Sequence, residues 1–276
     1  MSPVHRARSL ALARRPRSFR PVTNCSECMK VLVVYAVEPE FDPWRRLRKF
    51  ADVKAGDFTI HRTQIAGAVV DFVVTGMGPA RAARAMEAVA SPQYSLVIAS
   101  GLAGALRPEL GIGDIVLPEA VSRAEGETAP LACDAALHAE GISAGGKSIE
   151  TIVSSEHIAT TVEEKLRLGK SAQAVDMESF SVVASAQRLG IPVVVLRAVS
   201  DRHDQPMPLD LSTAVDERGQ VSIGRVMKLV AGKPGQISSL MKLARESKAA
   251  AESLARFLDE YIERLSRAPE IARGGQ

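Results

Sequence analysis

Short runs dense in Val and Ile recur along this chain, and segments of helical spacing separate them. The runs span 31–36, 69–75, 96–100, 114–118, 151–154 and 193–199. Several lack the in–out alternation of a half-exposed strand, as expected of strands covered on both faces. The helical segments are 41–51, 80–90, 178–189 and a long one from 236 to about 265. In the last, Ile237, Leu240, Leu254, Leu258 and Ile262 recur at near-helical intervals. Strands that alternate with helices predict an α/β fold: a three-layer sandwich with a central mixed β-sheet flanked by helices. Aromatic residues make up only 4% of the chain, so Val, Leu, Ile and Ala must build its core.

The charge is unevenly placed. Residues 1–28 carry six Arg and one acid, Glu27, a balance of 6 − 1 = +5. The formal net charge is +3, which leaves +3 − 5 = −2 for residues 29–276. A basic nucleic-acid surface is therefore not expected of the folded body. Residues 1–28 lack apolar periodicity and read as a disordered basic extension or a mis-assigned start, with Met29 ahead of the first strand. Residues 29–265 read as one domain, and 266–276 as a fraying tail. Cys25 and Cys28 form a lone C-x-x-C, and Cys133 stands apart, so no second ligand pair completes a zinc site. No metal and no cofactor are expected. Unpatterned thiols suit a reducing, cytoplasmic setting. No run of about 18 apolar residues marks a membrane span.

In open α/β sheets, ligands bind beyond the carboxyl ends of strands. Four such ends carry polar or glycine residues: Ala36-Val-Glu-Pro-Glu40, Thr75-Gly-Met-Gly78, Ser100-Gly-Leu-Ala-Gly104 and Ser200-Asp201. A fifth candidate, Val175-Asp-Met-Glu178, opens a helix. The glycine turn at 76–78 is not a dinucleotide fingerprint, because Arg81 replaces the third glycine and no acid follows at the next strand end. The acids of 176–178 also fit a first helical turn, where the helix dipole favours them. Their apolar continuation places at least one carboxylate near the sheet. Asp201 ends a buried strand, which makes it a catalytic candidate as well as a turn residue.

Taken in order, these five segments, with Gly113-Asp114 and Arg197-Ala-Val-Ser-Asp201, resemble the family of purine nucleoside phosphorylases and methylthioadenosine/S-adenosylhomocysteine nucleosidases. The resemblance runs from about Met29 to Asp204. Further on, Asp216-Glu-Arg-Gly219 and Lys233-Pro-Gly-Gln-Ile237 are similar to the hopanoid-associated branch of that family. The resemblance implies cleavage of an N-glycosidic bond in a purine nucleoside, a small-molecule substrate and a homo-oligomer. It implies Asp201 as the acid that protonates the leaving base at N7, and Glu40 as the base that activates water. Such a role for Asp201 needs a carboxyl that carries a proton. It also implies Glu178 on the ribose hydroxyls and Met177 packed on the sugar. Gly78, Gly101 and Ser155 are the further expected substrate contacts.

Phosphorolysis requires an anion site. The family's phosphorylases place Arg and Ser in the loop written here Ala99-Ser-Gly-Leu102, and this chain has Ala99 and Leu102 at those positions. The first strand-end loop offers Glu38 and Glu40, which repel phosphate. Water is thus the expected acceptor, with an adenine-type, 5′-substituted nucleoside as the expected substrate. A phosphorylase is the alternative, and a noncatalytic nucleoside-binding domain is a third reading, since a fold alone does not establish catalysis.

Overall fold

A computed structural model describes residues 28–125, 128–207 and 237–267, with Ala214, Asp216, Gly219, Gln220, Arg225 and Gly235. Residues 1–27 and 268–276, which hold most of the expected basic extension and fraying tail, lie outside the described residues.

In chain order the elements are β1 (Lys30–Tyr35), α1 (Glu38–Leu47), β2 (Ala51–Ala55), β3 (Phe58–Ile65), β4 (Ala68–Val74), α2 (Pro79–Val89) and β5 (Leu96–Ala105). Then come β6 (Ile115–Arg123), β7 (Leu131–Ala132), α3 (Ala135–Ser143), β8 (Lys147–Ser154), α4 (Val162–Leu168) and β9 (Ala174–Asp176). The last are α5 (Ser179–Arg188), β10 (Val193–Asp201) and α6 (Ile237–Arg267).

The strands form one mixed sheet, in the order β10-β6-β8-β9-β5-β1-β4-β3-β2, with β7 on β6. β1 pairs in parallel with both β4 and β5. β5 also pairs in parallel with β10. Because β10 bonds both β5 and β6, the strands β5, β10, β6, β8 and β9 close on themselves. That closure removes free edges from this part of the sheet. The expected sandwich is present, with one side of its central layer curled into a small barrel.

Strand periodicity sorts the core. Val31, Val33 and Tyr35 of β1 pack with Phe41 and Trp44 of α1 and with Leu254, Leu258 and Ile262 of α6. Leu32 and Val34 face the other way, toward Met86 of α2 and Val182, Val183 and Ala186 of α5. Successive strand side chains point to opposite faces, so one strand serves two cores. Helices cover both faces, which explains why these runs show no polar alternation.

Two boundaries differ from expectation for identifiable reasons. The helix expected over 41–51 spans Glu38–Leu47. Glu40, at its third position, accepts the backbone N–H of Val37 just ahead of the helix, and Pro39 is tolerated in a first turn. Ala51 instead begins β2. The β2–β3–β4 meander carries no expected strand before Val69. β2 is an edge strand with exposed Asp52, Val53 and Lys54, so it has no buried face to reveal. Its partner β3 turns into β4 through Ala66-Gly67, both with positive φ (48° and 94°), as a two-residue hairpin demands.

Candidate active site

A cavity of about 620 Å³ opens where the carboxyl ends of β1, β5 and β10 meet the start of α5. That volume lies within the range of roughly 300–1,000 Å³ usual for small-molecule sites. Glu40, Met177, Glu178 and Asp201 all line it. Three separate segments of sequence therefore reach one chamber. Gly78, Gly101 and Ser155 do not line the wall themselves; they stand behind it.

Glu40 is 5% exposed. Its Oε2 accepts the N–H groups of Ala36 (3.1 Å) and Val37 (3.2 Å), and its Oε1 accepts that of Leu102 (2.8 Å). Three backbone amides thus hold one carboxylate in one orientation. Burial raises the Glu40 pKa, while the Arg197 guanidinium and the three amides pull it back down. A carboxylate so placed is poised to take a proton.

Gly101 makes this approach possible. Its φ is +145°, and a Cβ there would fall 2.9 Å from Glu40 Oε1 and closer still to the Arg197 guanidinium. Gly104 does the same for the other acid, since a Cβ there would lie 3.0 Å from Asp201 Oδ2. The glycines of 101–104 give room to catalytic-type carboxylates rather than to a ligand directly.

Glu178 precedes α5 and is 6% exposed. Its Oε1 accepts the Gly78 N–H at 2.7 Å, which ties the glycine turn after β4 to the start of α5. Burial pushes its pKa up to about 7; Arg197 opposes the rise, and Asp176 and Glu40 add to it. The unfolded chain releases this proton near the ordinary value of 4.5, the folded chain near 7. Between these values the folded state holds more protons, so stability falls as pH rises through the window. Glu178→Gln keeps an acceptor for Gly78 and removes the titration. The variant is expected to melt above the parent at pH 8, with the difference closing below pH 4.5. Calorimetric melting at both pH values checks this; an unchanged difference between them would contradict it.

A buried cation organises these acids from below. Arg197 of β10 is 1% exposed. It pairs with Asp176 at 2.6 Å, donates to Ser179 Oγ at 3.2 and 3.0 Å, and donates to the Ser100 carbonyl at 3.1 Å. Asp176 also accepts from Ser154 Oγ at 2.6 Å and from the Ser179 hydroxyl. Asp176 therefore anchors Arg197 and the start of α5, and it lines the cavity beside Glu178. Ser155 contributes its N–H to the Asp176 carbonyl at 2.8 Å.

Asp201 is 5% exposed at the end of β10. The register between β10 and β5 shifts between Val199 and Asp201, and such a bulge re-aims the side chain that follows. Its Oδ1 accepts from Ser200 Oγ at 2.8 Å, and its Oδ2 pairs with the ammonium of Lys165. Sequence reasoning did not single out Lys165. It sits in α4, a short segment whose charged run Glu163-Glu164-Lys165 reads as a solvent face, yet the lysine is 1% exposed.

The remaining wall is largely apolar. Pro39, Pro43, Met77, Leu102, Ile158 and Met207 line it, and α6 adds Leu240 and Leu243. Asp42, Arg46 and Lys248 also border it. Opposite α6, the loop after β1 is held by Gln220, whose Oε1 accepts the Glu38 N–H at 3.0 Å, while the Gly219 carbonyl accepts the Met77 N–H at 2.9 Å. These contacts place Gly219 and Gln220 beside the cavity. Among the described residues no cluster of His, Cys, Asp and Glu could hold a metal ion, and no helix is long and apolar enough to cross a membrane.

Comparison with known proteins finds both relatives in sequence and structures of similar fold. The chain is 29% identical over 203 residues to futalosine hydrolase of Streptomyces coelicolor, covering 63% of this chain and 84% of that protein. It is 24% identical over 233 residues to 5′-methylthioadenosine/S-adenosylhomocysteine nucleosidase of Pseudoalteromonas translucida, covering 74% and 99%. Its fold superposes on the Helicobacter pylori 5′-methylthioadenosine/S-adenosylhomocysteine nucleosidase solved with butyl-thio-DADMe-Immucillin-A. The TM-score is 0.69 at 19% identity, over 87% of this chain and all (100%) of that one. Futalosine hydrolase of the same organism gives a TM-score of 0.67 at 19% identity, over 86% and 98%. The sequence profile of the phosphorylase superfamily matches residues 30–232, and this chain belongs to that superfamily.

Proposed function

We propose that this protein hydrolyses the N-glycosidic bond of an adenine-type purine nucleoside carrying a 5′ substituent. The observation that carries the reading is Glu40: a buried carboxylate held by three amides, sharing one cavity with Glu178 and Asp201. Cleaving this bond leaves positive charge on the sugar and negative charge on the base. Asp201 is the group assigned to the base, Glu178 to the ribose hydroxyls and Glu40 to the attacking water. Carboxylates on two sides of a sugar follow the logic of glycoside cleavage.

Water is favoured over phosphate by where the cations lie. Ala99 is buried in the core, and Leu102 offers its N–H to Glu40, so neither phosphate-loop position supplies a donor side chain. Arg197 is consumed by Asp176, Ser179 and Ser100. Arg123 lies over Phe180 and pairs with Glu156. Neither they nor Arg81 line the cavity; of the cations that do, Lys165 is paired with Asp201, and Arg46 and Lys248 are exposed residues of α1 and α6, outside the phosphate-loop positions.

The apolar wall built by Pro39, Pro43, Ile158, Leu240 and Leu243 suits a nucleoside with an apolar 5′ group, either a methylthio group or a lipid chain such as that of an adenosyl-hopanoid. Product analysis with adenosine, methylthioadenosine, S-adenosylhomocysteine and a lipid-linked adenosyl compound tests the reading. Adenine is expected from the 5′-substituted compounds at higher kcat/KM than from adenosine. No adenine from any of the four would overturn it.

A further inference from the structure

Lys165 presents three ammonium hydrogens to three acceptors: Asp201 Oδ2, the Arg202 carbonyl at 2.7 Å and the Gln205 carbonyl at 2.9 Å. A charged lysine has three donors and no acceptor. A neutral amine fits the same contacts, donating to the two carbonyls and accepting the Asp201 O–H on its lone pair, so the two forms of the pair differ by one proton along the Lys165–Asp201 contact. In the ionic form the buried ammonium requires a counter-charge. Asp201 is the one carboxylate it touches among the described residues, and when ionised it supplies that charge.

A carboxylate cannot donate the proton that a departing purine needs. We propose that Lys165 is a positioning residue that also supplies this proton, passing it through Asp201 to the leaving base. The inference rests on the hydrolytic reading above. As the bond from sugar carbon to base nitrogen breaks, its electron pair goes to the purine. The purine's N7 takes a proton from Asp201, which takes one from Lys165 and leaves a neutral amine. Water adds to the sugar carbon and yields its proton to Glu40. Glu40 then loses that proton to solvent and Lys165 regains one, so the cycle closes with one water consumed. The site is suited to the transfer because both members of the pair are buried, 1% and 5% exposed, and burial disfavours separated charge.

Groups face the pair from each packed element. From β10 come Ser200 and Asp201, and α4 contributes Lys165 itself. The loop that follows β10 supplies the Arg202 and Gln205 carbonyls, and β5 supplies Gly104, beside Asp201. Around the same cavity stand Glu178, Glu40 and Asp176, with His157, Asp42, Arg46 and Lys248 also on its lining.

The test uses Lys165→Met and Lys165→Arg in the full chain, with adenine release from methylthioadenosine measured between pH 5.5 and 9. In Lys165→Met, Asp201 must draw its proton from solvent. kcat/KM is expected to fall on the order of 10²-fold at pH 8, with the deficit shrinking about tenfold per pH unit on acidification. Arginine keeps the charge but does not release a proton, so Lys165→Arg is expected to be slow at every pH. A merely structural lysine would give a Met variant reduced by one factor at all pH values, or an Arg variant restored to parental rate; either result overturns the proposal. A second readout needs no substrate. In protein labelled with ¹⁵N-lysine, the parent is expected to show a protected ammonium resonance at neutral pH that is missing in Lys165→Met and lost in Asp201→Asn. Its absence from the parent would overturn the assignment even if no nucleoside is cleaved. Failure of cleavage by the parent with that resonance present would instead reject the hydrolytic reading, and the proton transfer built on it.

Discussion

Glu40→Gln is expected to lower turnover on the order of 10³-fold while leaving nucleoside binding within a few-fold of the parent. The amide oxygen of Gln can still accept two of the three N–H groups that now hold the carboxylate, those of Ala36 and Val37, which share one oxygen; the third is that of Leu102. Its NH₂ group turns a donor toward the remaining amide, so the loop after β1 shifts slightly but keeps its partners from Gln220. What disappears is a group able to take a proton from water. Calorimetric titration with a nontransferable nucleoside analogue, beside steady-state kinetics, separates the two effects. Affinity lost in parallel with turnover would show that Glu40 holds the ligand rather than the water.

Asp201→Asn is expected to cost at least about 10²-fold in kcat, because an amide of the same shape carries no carboxylic proton to the base. Stability enters as well. Removing one member of a buried ion pair leaves the other charge uncompensated, at a cost of roughly 3–5 kcal/mol. The Asn variant leaves Lys165 in that position, 1% exposed, with only neutral acceptors: the Arg202 and Gln205 carbonyls and the new amide oxygen. Its melting temperature should therefore drop, and kinetics must be read well below that temperature. The double variant Lys165→Met/Asp201→Asn removes both charges. It is expected to recover much of the lost stability and none of the turnover. Turnover recovered together with stability would remove Asp201 from the chemistry.

The site was legible where chemistry and topology coincide. Glu40 and Asp201 follow strongly apolar strands, β1 and β10, and in an α/β sheet the ends of such strands converge. Glu178 and Met177 were legible through the motif at the start of α5. Two charged residues escaped for opposite reasons. Lys165 lies in a run of charged residues in a seven-residue helix, where local sequence signals exposure and only the tertiary fold buries it. Arg197 sits inside a run of Val, Leu and Ala, and its partners Asp176, Ser179 and Ser100 come from β9, α5 and β5, far apart in sequence. No local pattern announces such a meeting.

The same contrast holds for the fold. Elements buried on both faces, such as β1, β5 and β10, stand out as apolar runs. The β2–β3 hairpin does not, since exposed Asp52, Val53 and Lys54 occupy its edge. Closure of five strands into a barrel was also not legible. It depends on β10 bonding both β5 and β6, a long-range choice that neither segment's composition specifies.

The central claim is that water, activated at Glu40, is the acceptor. It is tested most directly by incubating the purified protein with methylthioadenosine in buffer freed of phosphate, then with phosphate added, and identifying the sugar product. The arrangement of Glu40, Ala99, Leu102 and the engaged Arg197 predicts full adenine release without phosphate, and a free sugar in both buffers. Strict dependence on phosphate, with a sugar 1-phosphate as product, would contradict it.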